Sequence, residues 1–287
     1  MSAQDLADMV AFLGRENIIP AREWMDRALS GRLRAGELCL TFDDALRCQW
    51  DVAYPVIKSL GLDAFWFIYT SPLEGRLERL ELYRYFRTIC YPDIGDFYRA
   101  FDAAALAGPH GAVVAAALER FDPAAYLKDF PFYTEADRRF RFVRDQTLGP
   151  YRYCKVMDRM MAESDFLTEG LAAKLWIDDS VVARLHAEGH VIGLHSHTHP
   201  TQLCRLDLAE QEREYRLNSE HLARVIGQVP TAMSHPCNSY NAGTLALLAR
   251  LGLAFGFRAN MAMTAGYGPL EHPREDHANI LNAMRKQ

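Results

Sequence analysis

No stretch of this 287-residue chain approaches the run of about 18 apolar residues that a membrane-spanning helix needs, so no membrane span is expected. The opening residues, MSAQDLADMV, lack the basic start and apolar core of a secretion signal. Cysteine is sparse: the six residues, at 39, 48, 90, 154, 204 and 237, include no CxxC pair. They suit a reducing cytoplasm better than a disulfide framework. Excess positive charge is missing as well. A net charge of −5 and a pI of about 6.1 argue against nucleic acid or an anionic membrane as partner, since both reward a basic face. There is no internal repeat, no low-complexity tract, and no Pro/Gly/Ser linker that would separate domains.

What remains is the composition of an ordinary soluble domain, 49% hydrophobic and 24% charged, in a length that suits one α/β barrel or one domain with an insertion. Leu38–Phe42 is a short apolar run that ends in Asp43 and Asp44, which reads as a buried strand carrying two carboxylates at its C-terminal end. A helical stretch over 49–60 stops at Gly61, and 63–69 is a second strand, rich in aromatics. Strand, helix, strand implies a parallel pair with a right-handed crossover. Residues 71–175 show little strand character and read as a helical insertion into a single domain spanning 1–287. From 176 the alternation resumes. Asp178 to Ser180 can cap a helix that ends at Gly189, 191–194 is a strand that delivers His195, and Leu208, Tyr215 and Leu222 mark a helix. Strands at 231–235 and 254–257 then flank a helix at 244–251.

Three segments carry chemistry: TFDDA at 41–45, HSHTHP at 195–200 and SHPCNSYN at 234–241. The first two each follow a strand, and strand C-termini form the active face of a parallel barrel. One helical turn over 195–199 would put His195 and His199 on one side, with Ser196 capping the turn. An exposed strand would instead align His195, His197 and His199. Two histidines with one carboxylate of the Asp pair make a three-ligand set with an open position, the pattern of a catalytic metal. The second aspartate could then take a proton from water. A pair of aspartates after a strand also serves simply as a helix cap, so the specificity lies in the combination.

Those residues carry a resemblance. TFDDA resembles the TFDDG motif of the polysaccharide deacetylases, the NodB-homology carbohydrate esterases. Gly189-His190-Val191-Ile192-Gly193 with His195-Ser196-His197-Thr198-His199-Pro200 is similar to that family's G-H-x-I-G-x-H-[ST]-x-x-H-P motif. The resemblance covers about 36–70 and 176–260 and leaves out the insertion. It implies a distorted (β/α)7 barrel, with Asp43 as the catalytic base and Asp44, His195 and His199 as ligands of a divalent metal: zinc first, with nickel, cobalt and iron as alternatives. Ser196 would steady the loop, His197 falls on a variable position, and His190 would be structural.

The third segment departs from the family. Its R-x-P-Y-G pattern reads here Ser234-His235-Pro236-Cys237-Asn238, so the arginine that pairs with the catalytic aspartate is missing. The backbone N–H of Cys237 can still serve as the oxyanion donor. Near the C-terminus, HPREDH at 272–277 resembles a PR-x-D segment of some members. Arg274 is therefore expected to take over the pairing with Asp43, keeping it ionised. His277 is a candidate acid for the leaving amine.

The function so implied is removal of an acyl group, most simply acetyl, from an N-acylated amino sugar in surface polysaccharide or lipopolysaccharide O-antigen synthesis. Arginines at 138, 139, 141 and 144 among Phe140, Phe142, Tyr151 and Tyr153 would suit a nucleotide- or lipid-linked sugar, or merely a helical cap. Two other classes fit less of the pattern: a sugar-binding member with an impaired site, and a non-haem iron oxygenase, which also uses two histidines and a carboxylate. The parallel α/β rhythm and the adjacent second aspartate favour water activation.

Overall fold

The computed structural model describes residues 1–128, 130 and 133–286. The chain divides into two compact units, one formed by Met1–Leu77 with Ala172–Gln287 and the other by Glu78–Leu171.

In the first unit the short apolar runs become five parallel strands in the order of the chain: β1 (Thr41–Asp43), β2 (Phe65–Ile68), β3 (Val191–Leu194), β4 (Ala232–Ser234) and β5 (Phe255–Phe257). Single parallel bridges, Ile18 to Leu38 and Phe257 to His272, add one more chain segment at each end of the order. Five strands and two bridged segments make the half-barrel of a distorted (β/α) barrel. The unit's helices are α1 (Ala3–Leu13), α2 (Ala21–Leu29) and α3 (Tyr54–Ser59) in its first section.

Alternation along each strand sorts the side chains between two layers. Trp66, Ile68, Ile192, Leu194 and Met233 share a core with Tyr54 and Ile57 of α3. Phe65, Phe67, Val191, Ala232, Phe255 and Phe257 point the other way, onto Ala21, Trp24 and Met25 of α2. The Trp24 ring lies 5.9 Å from that of Phe255, 5.6 Å from Phe257 and 5.5 Å from His272. Gly193 is forced by this layer: a Cβ there would sit 2.6 Å from the Phe67 ring and 2.8 Å from the Ala232 carbonyl oxygen.

The second unit is helical among its described residues: α4 (Arg79–Cys90), α5 (Ile94–Leu106), α6 (Gly111–Leu118), α7 (Glu135–Phe142) and α8 (Gly149–Glu163). Phe140 packs edge-on against Phe97 and Phe101, with centroids 5.4 and 4.8 Å away, and Tyr153 closes the cluster. Three of the arginines here make contacts within the unit. Arg139 pairs with Asp102 at 2.7 Å, Arg138 donates to the Pro123 carbonyl at 2.8 Å, and Arg141 lies 4.0 Å over the Tyr133 ring.

The first unit continues through α9 (Leu171–Leu175, whose first residue belongs to the second unit), α10 (Asp179–Ala187), α11 (Leu208–Ile226), α12 (Ala242–Arg250) and α13 (His277–Met284). Asp178 caps α10 by accepting the Val181 N–H at 3.1 Å, and α11 stops at Gly227 in the left-handed region. Among the described residues, no helix is long and apolar enough to cross a membrane.

Candidate metal centre and catalytic pair

Strand direction brings the chemistry together. Asp43 ends β1, His195 follows β3 and Ser234 ends β4, so all three project from strand C-termini, where parallel barrels place their sites. The Asp44 Oδ1 atom lies 3.2 Å from His195 Nε2 and 3.2 Å from His199 Nε2, and the candidate ligand atoms of the three residues all fall within 4.8 Å of one another.

The helical turn expected over 195–199 does not form. Ser196 and His199 adopt left-handed φ values of 62° and 54°, and the segment is an irregular loop. The imidazoles meet because the chain turns back on itself: the Ser196 hydroxyl oxygen accepts the His199 N–H at 3.1 Å, and the ring centroids end 4.8 Å apart. The strand alternative fails with it. His197 turns away, with Nδ1 3.0 Å from Thr70 Oγ1 and Nε2 3.8 Å from Glu74. His190 is buried and accepts the Ala64 N–H at 3.1 Å, as suits a structural histidine.

The donor set fits a divalent cation. His195 Nδ1 lies 2.9 Å from the Ser234 carbonyl oxygen, which can only accept, so Nδ1 carries hydrogen and Nε2 turns its lone pair to Asp44. An imidazole lone pair and a carboxylate oxygen at 3.2 Å repel unless a proton or a cation lies between them. The charges agree. Burial alone would raise the Asp44 carboxyl, but His199 and the hydrogen bonds from both imidazoles hold it well below the usual aspartate range. Burial alone would lower His195, yet the Asp43 and Asp44 carboxylates raise it. A metal would take the place of that proton.

Beside this set lies a second one. Arg274 grips Asp43 through both oxygens, Nη1 to Oδ1 at 2.8 Å and Nη2 to Oδ2 at 2.7 Å. Its position is fixed by Thr41 Oγ1 at 3.2 Å, Ser234 Oγ at 3.0 Å and the Arg258 carbonyl at 2.8 Å. The Ser234 hydroxyl also donates to Asp43 Oδ2 at 3.1 Å. Against the effect of burial, Arg274 and then His195 keep the Asp43 carboxyl below its ordinary value. Asp43 Oδ2 stands 3.9 Å from His195 Nε2, so the held carboxylate borders the three-residue cluster. The backbone at 43–49 is tied down by Gln49, which donates to the Asp43 carbonyl at 2.7 Å and accepts the Leu46 N–H at 3.2 Å from within a π-helical turn at Gln49–Ala53.

Residues 156–256 match the family model described as polysaccharide deacetylase. Over that segment the chain is similar to polysaccharide deacetylases. The matched segment holds both histidines and the Ser234–Asn238 stretch, and Asp43 and Asp44 lie before it. A curated chitin deacetylase from Pestalotiopsis sp is 36% identical over 109 residues, 36% of each chain, so this chain spans about a third of the length of that relative. Two solved structures share the fold over nearly the whole chain. Streptococcus pyogenes deacetylase PplD, in complex with acetate, has a TM-score of 0.56 at 15% identity and is covered over 86% of its length by 98% of this chain. IcaB from Ammonifex degensii has a TM-score of 0.54 at 13% identity, with 88% of its length and 100% of this chain covered.

Ser234 stands where the family motif has its arginine, and a guanidinium still reaches the aspartate, from Arg274 at the far end of the sequence. Cys237 occupies an exposed turn after Pro236 with φ of 50°, and Asn238 anchors that turn by accepting the Ala259 N–H at 2.9 Å. His277 is not brought to the cluster. It is exposed at the start of α13, 3.3 Å from Asp276, because Asp276 caps that helix by accepting the Ala278 N–H at 2.8 Å and directs the next residue outward.

Sequence reading missed Ser234 and Thr41 as partners of the Asp43–Arg274 pair, and Glu214 and Asn218 behind the histidine loop. One signal was present but unusable: polar residues on α11 look the same in a sequence whether they face solvent or a buried loop.

Proposed function

We propose that this protein is a metal-dependent hydrolase that removes an acyl group, in the first instance acetyl, from the amide nitrogen of an N-acylated amino sugar. The observation that carries this reading is Asp43, held ionised by the two-pronged Arg274 contact, at the border of the Asp44–His195–His199 cluster. A divalent cation held by these three residues, zinc before nickel, cobalt or iron, supplies a Lewis acid for the acyl carbonyl and for water. Asp43 takes the proton of the attacking water. Arg274 keeps it charged, and the Ser234 hydroxyl holds one of its oxygens. The Cys237 backbone N–H is the donor for the developing oxyanion. With His277 outside the cluster, the proton gained by Asp43 is the one available to the departing nitrogen.

The family description and the chitin deacetylase relative support the amino-sugar amide as substrate class. The narrower reading is an N-acetylated sugar in surface polysaccharide or lipopolysaccharide O-antigen synthesis, in the cytoplasm. The test is acetate release from N-acetylated amino-sugar oligomers and from nucleotide-linked sugars, with metal content measured in parallel. Wild-type protein is expected to release acetate and leave a free amine. Asp43→Asn is expected to lose turnover with its metal retained, and His199→Ala to lose the metal. Full activity in Asp43→Asn removes Asp43 as the base. Sugar binding without acetate release by metal-loaded wild type leaves the sugar-binding reading instead.

A further inference from the structure

Helix α11 buries a line of polar side chains, Gln211, Glu214, Asn218 and His221. Their spacing of three, four and three residues puts them on one helix face. Gln211 serves α12, through Thr244 Oγ1 at 2.8 Å, and His221 serves Glu74 and Asp179 at 3.2 and 2.7 Å. The two between them serve the histidine loop. Glu214 Oε2 accepts the His197 N–H at 2.9 Å and the Thr198 N–H at 2.7 Å, and Oε1 accepts the Thr198 hydroxyl at 2.8 Å. Asn218 Oδ1 accepts the His195 N–H at 2.9 Å, while its amide donates to the Ile68 carbonyl at 2.8 Å.

Together with Ser196, which takes the His199 N–H, these side chains hold the backbone donors of residues 195, 197, 198 and 199. The loop so held contains two left-handed residues, Ser196 and His199, a conformation that an L residue leaves unless its surroundings fix it. Glu214 forms no ion pair with lysine or arginine among the described residues, so its carboxyl is aimed at the loop alone. We propose that Glu214, seconded by Asn218, is the positioning residue of this centre: it shapes the histidine loop before any metal arrives, so metal affinity depends on it. The proposal rests on the metal reading above.

The test uses full-length protein stripped by a chelator and titrated with Co(II), followed by its ligand-field absorption, with unfolding of the metal-free protein measured alongside. Glu214→Gln removes the negative charge that the His197 and Thr198 N–H groups face and leaves one neutral amide oxygen to accept from both. It is expected to weaken Co(II) binding by about 10–100-fold, the usual cost of losing a group that orients ligands, and to alter the absorption, while the metal-free protein still unfolds cooperatively. Thr198→Val, which removes one of the three contacts, is expected to weaken binding by about three- to tenfold, and it carries the test if Glu214→Gln does not fold. Wild-type affinity and spectrum in the folded Glu214→Gln variant, or wild-type affinity in Thr198→Val where that variant carries the test, overturn the proposal. His199→Ala separates the two readings. If it loses Co(II) while Glu214→Gln retains it, only the positioning role falls; if it keeps wild-type Co(II) affinity, the metal reading falls and takes the proposal with it.

Discussion

The Asp43–Arg274 pair shows how little of a site depends on where a residue stands in the sequence. The guanidinium that the family motif carries at the place of Ser234 arrives here from 40 residues further on, and it meets the carboxylate with two parallel hydrogen bonds. Arg274→Gln is expected to cut kcat/KM by about 10²-fold. Its pH profile gives the sign. Arg274 holds the Asp43 carboxyl low against burial, so without it burial raises that value and the acidic limb of kcat/KM moves to higher pH. Arg274→Lys should recover only part of the loss, since an ammonium cannot span both oxygens. Backbone strain is equally local. Six of the eight non-glycine residues with positive φ among the described residues are Asp44, Ala45, Ser196, His199, Cys237 and Asn238, so strain is concentrated in the three site segments, as it commonly is at functional sites. Ala45, at φ of 55°, stands where the family motif has glycine. Ala45→Gly is expected to raise stability by about 1 kcal/mol, read from urea unfolding.

At the scale of elements, the strands are legible because their apolar runs are short and bounded, and the helix after Asp178 because its cap and its stop at Gly189 are local. Two elements read less well. The apolar spacing of Leu208, Tyr215 and Leu222 identifies α11, but the adjoining line from Gln211 to His221 is buried too, and period alone cannot reveal burial of polar groups. The i, i+4 spacing of His195 and His199 fits a helical turn, yet left-handed Ser196 and His199 accomplish the same approach of the rings. Gly193 belongs to this scale, since it makes room for a neighbouring strand. Gly193→Ala would drive a methyl into the Phe67 ring and the Ala232 carbonyl; it is expected to cost about 3 kcal/mol of stability by overpacking, measured by denaturant unfolding.

For the molecule as a whole, response to acid is set by groups far apart in the chain. His235 is buried, and burial pushes its imidazole down to about 3. The unfolded chain therefore binds a proton near pH 6.5 that the folded chain refuses, and stability falls as pH drops from about 6.5 toward 3. Glu188 adds a second loss. Hydrogen bonds from Tyr54 and Arg184, with Lys58, hold it at about 2, so its contribution is present above about 4.5 and is lost as pH falls toward 2. Unfolding midpoints between pH 7 and 3 should decline throughout this range. Glu188→Gln should flatten the portion below about pH 4.5 and leave the portion above it unchanged.

The sequence by itself determined the alternation of strand and helix, the strand ends that carry Asp43, Asp44 and His195, and the residue types that could hold a cation, because hydrophobic period, caps and ligand chemistry are written locally. It also supplied Arg274 as a candidate through a short motif. Only the tertiary structure decided that Arg274 reaches Asp43 while His277, three residues on, does not; that His197 turns away from its neighbours; and that Glu214 faces the histidine loop. Those outcomes depend on contacts between residues distant in the chain, on the directions imposed by left-handed turns and helix caps, and on which polar face is buried. A one-dimensional pattern carries none of these.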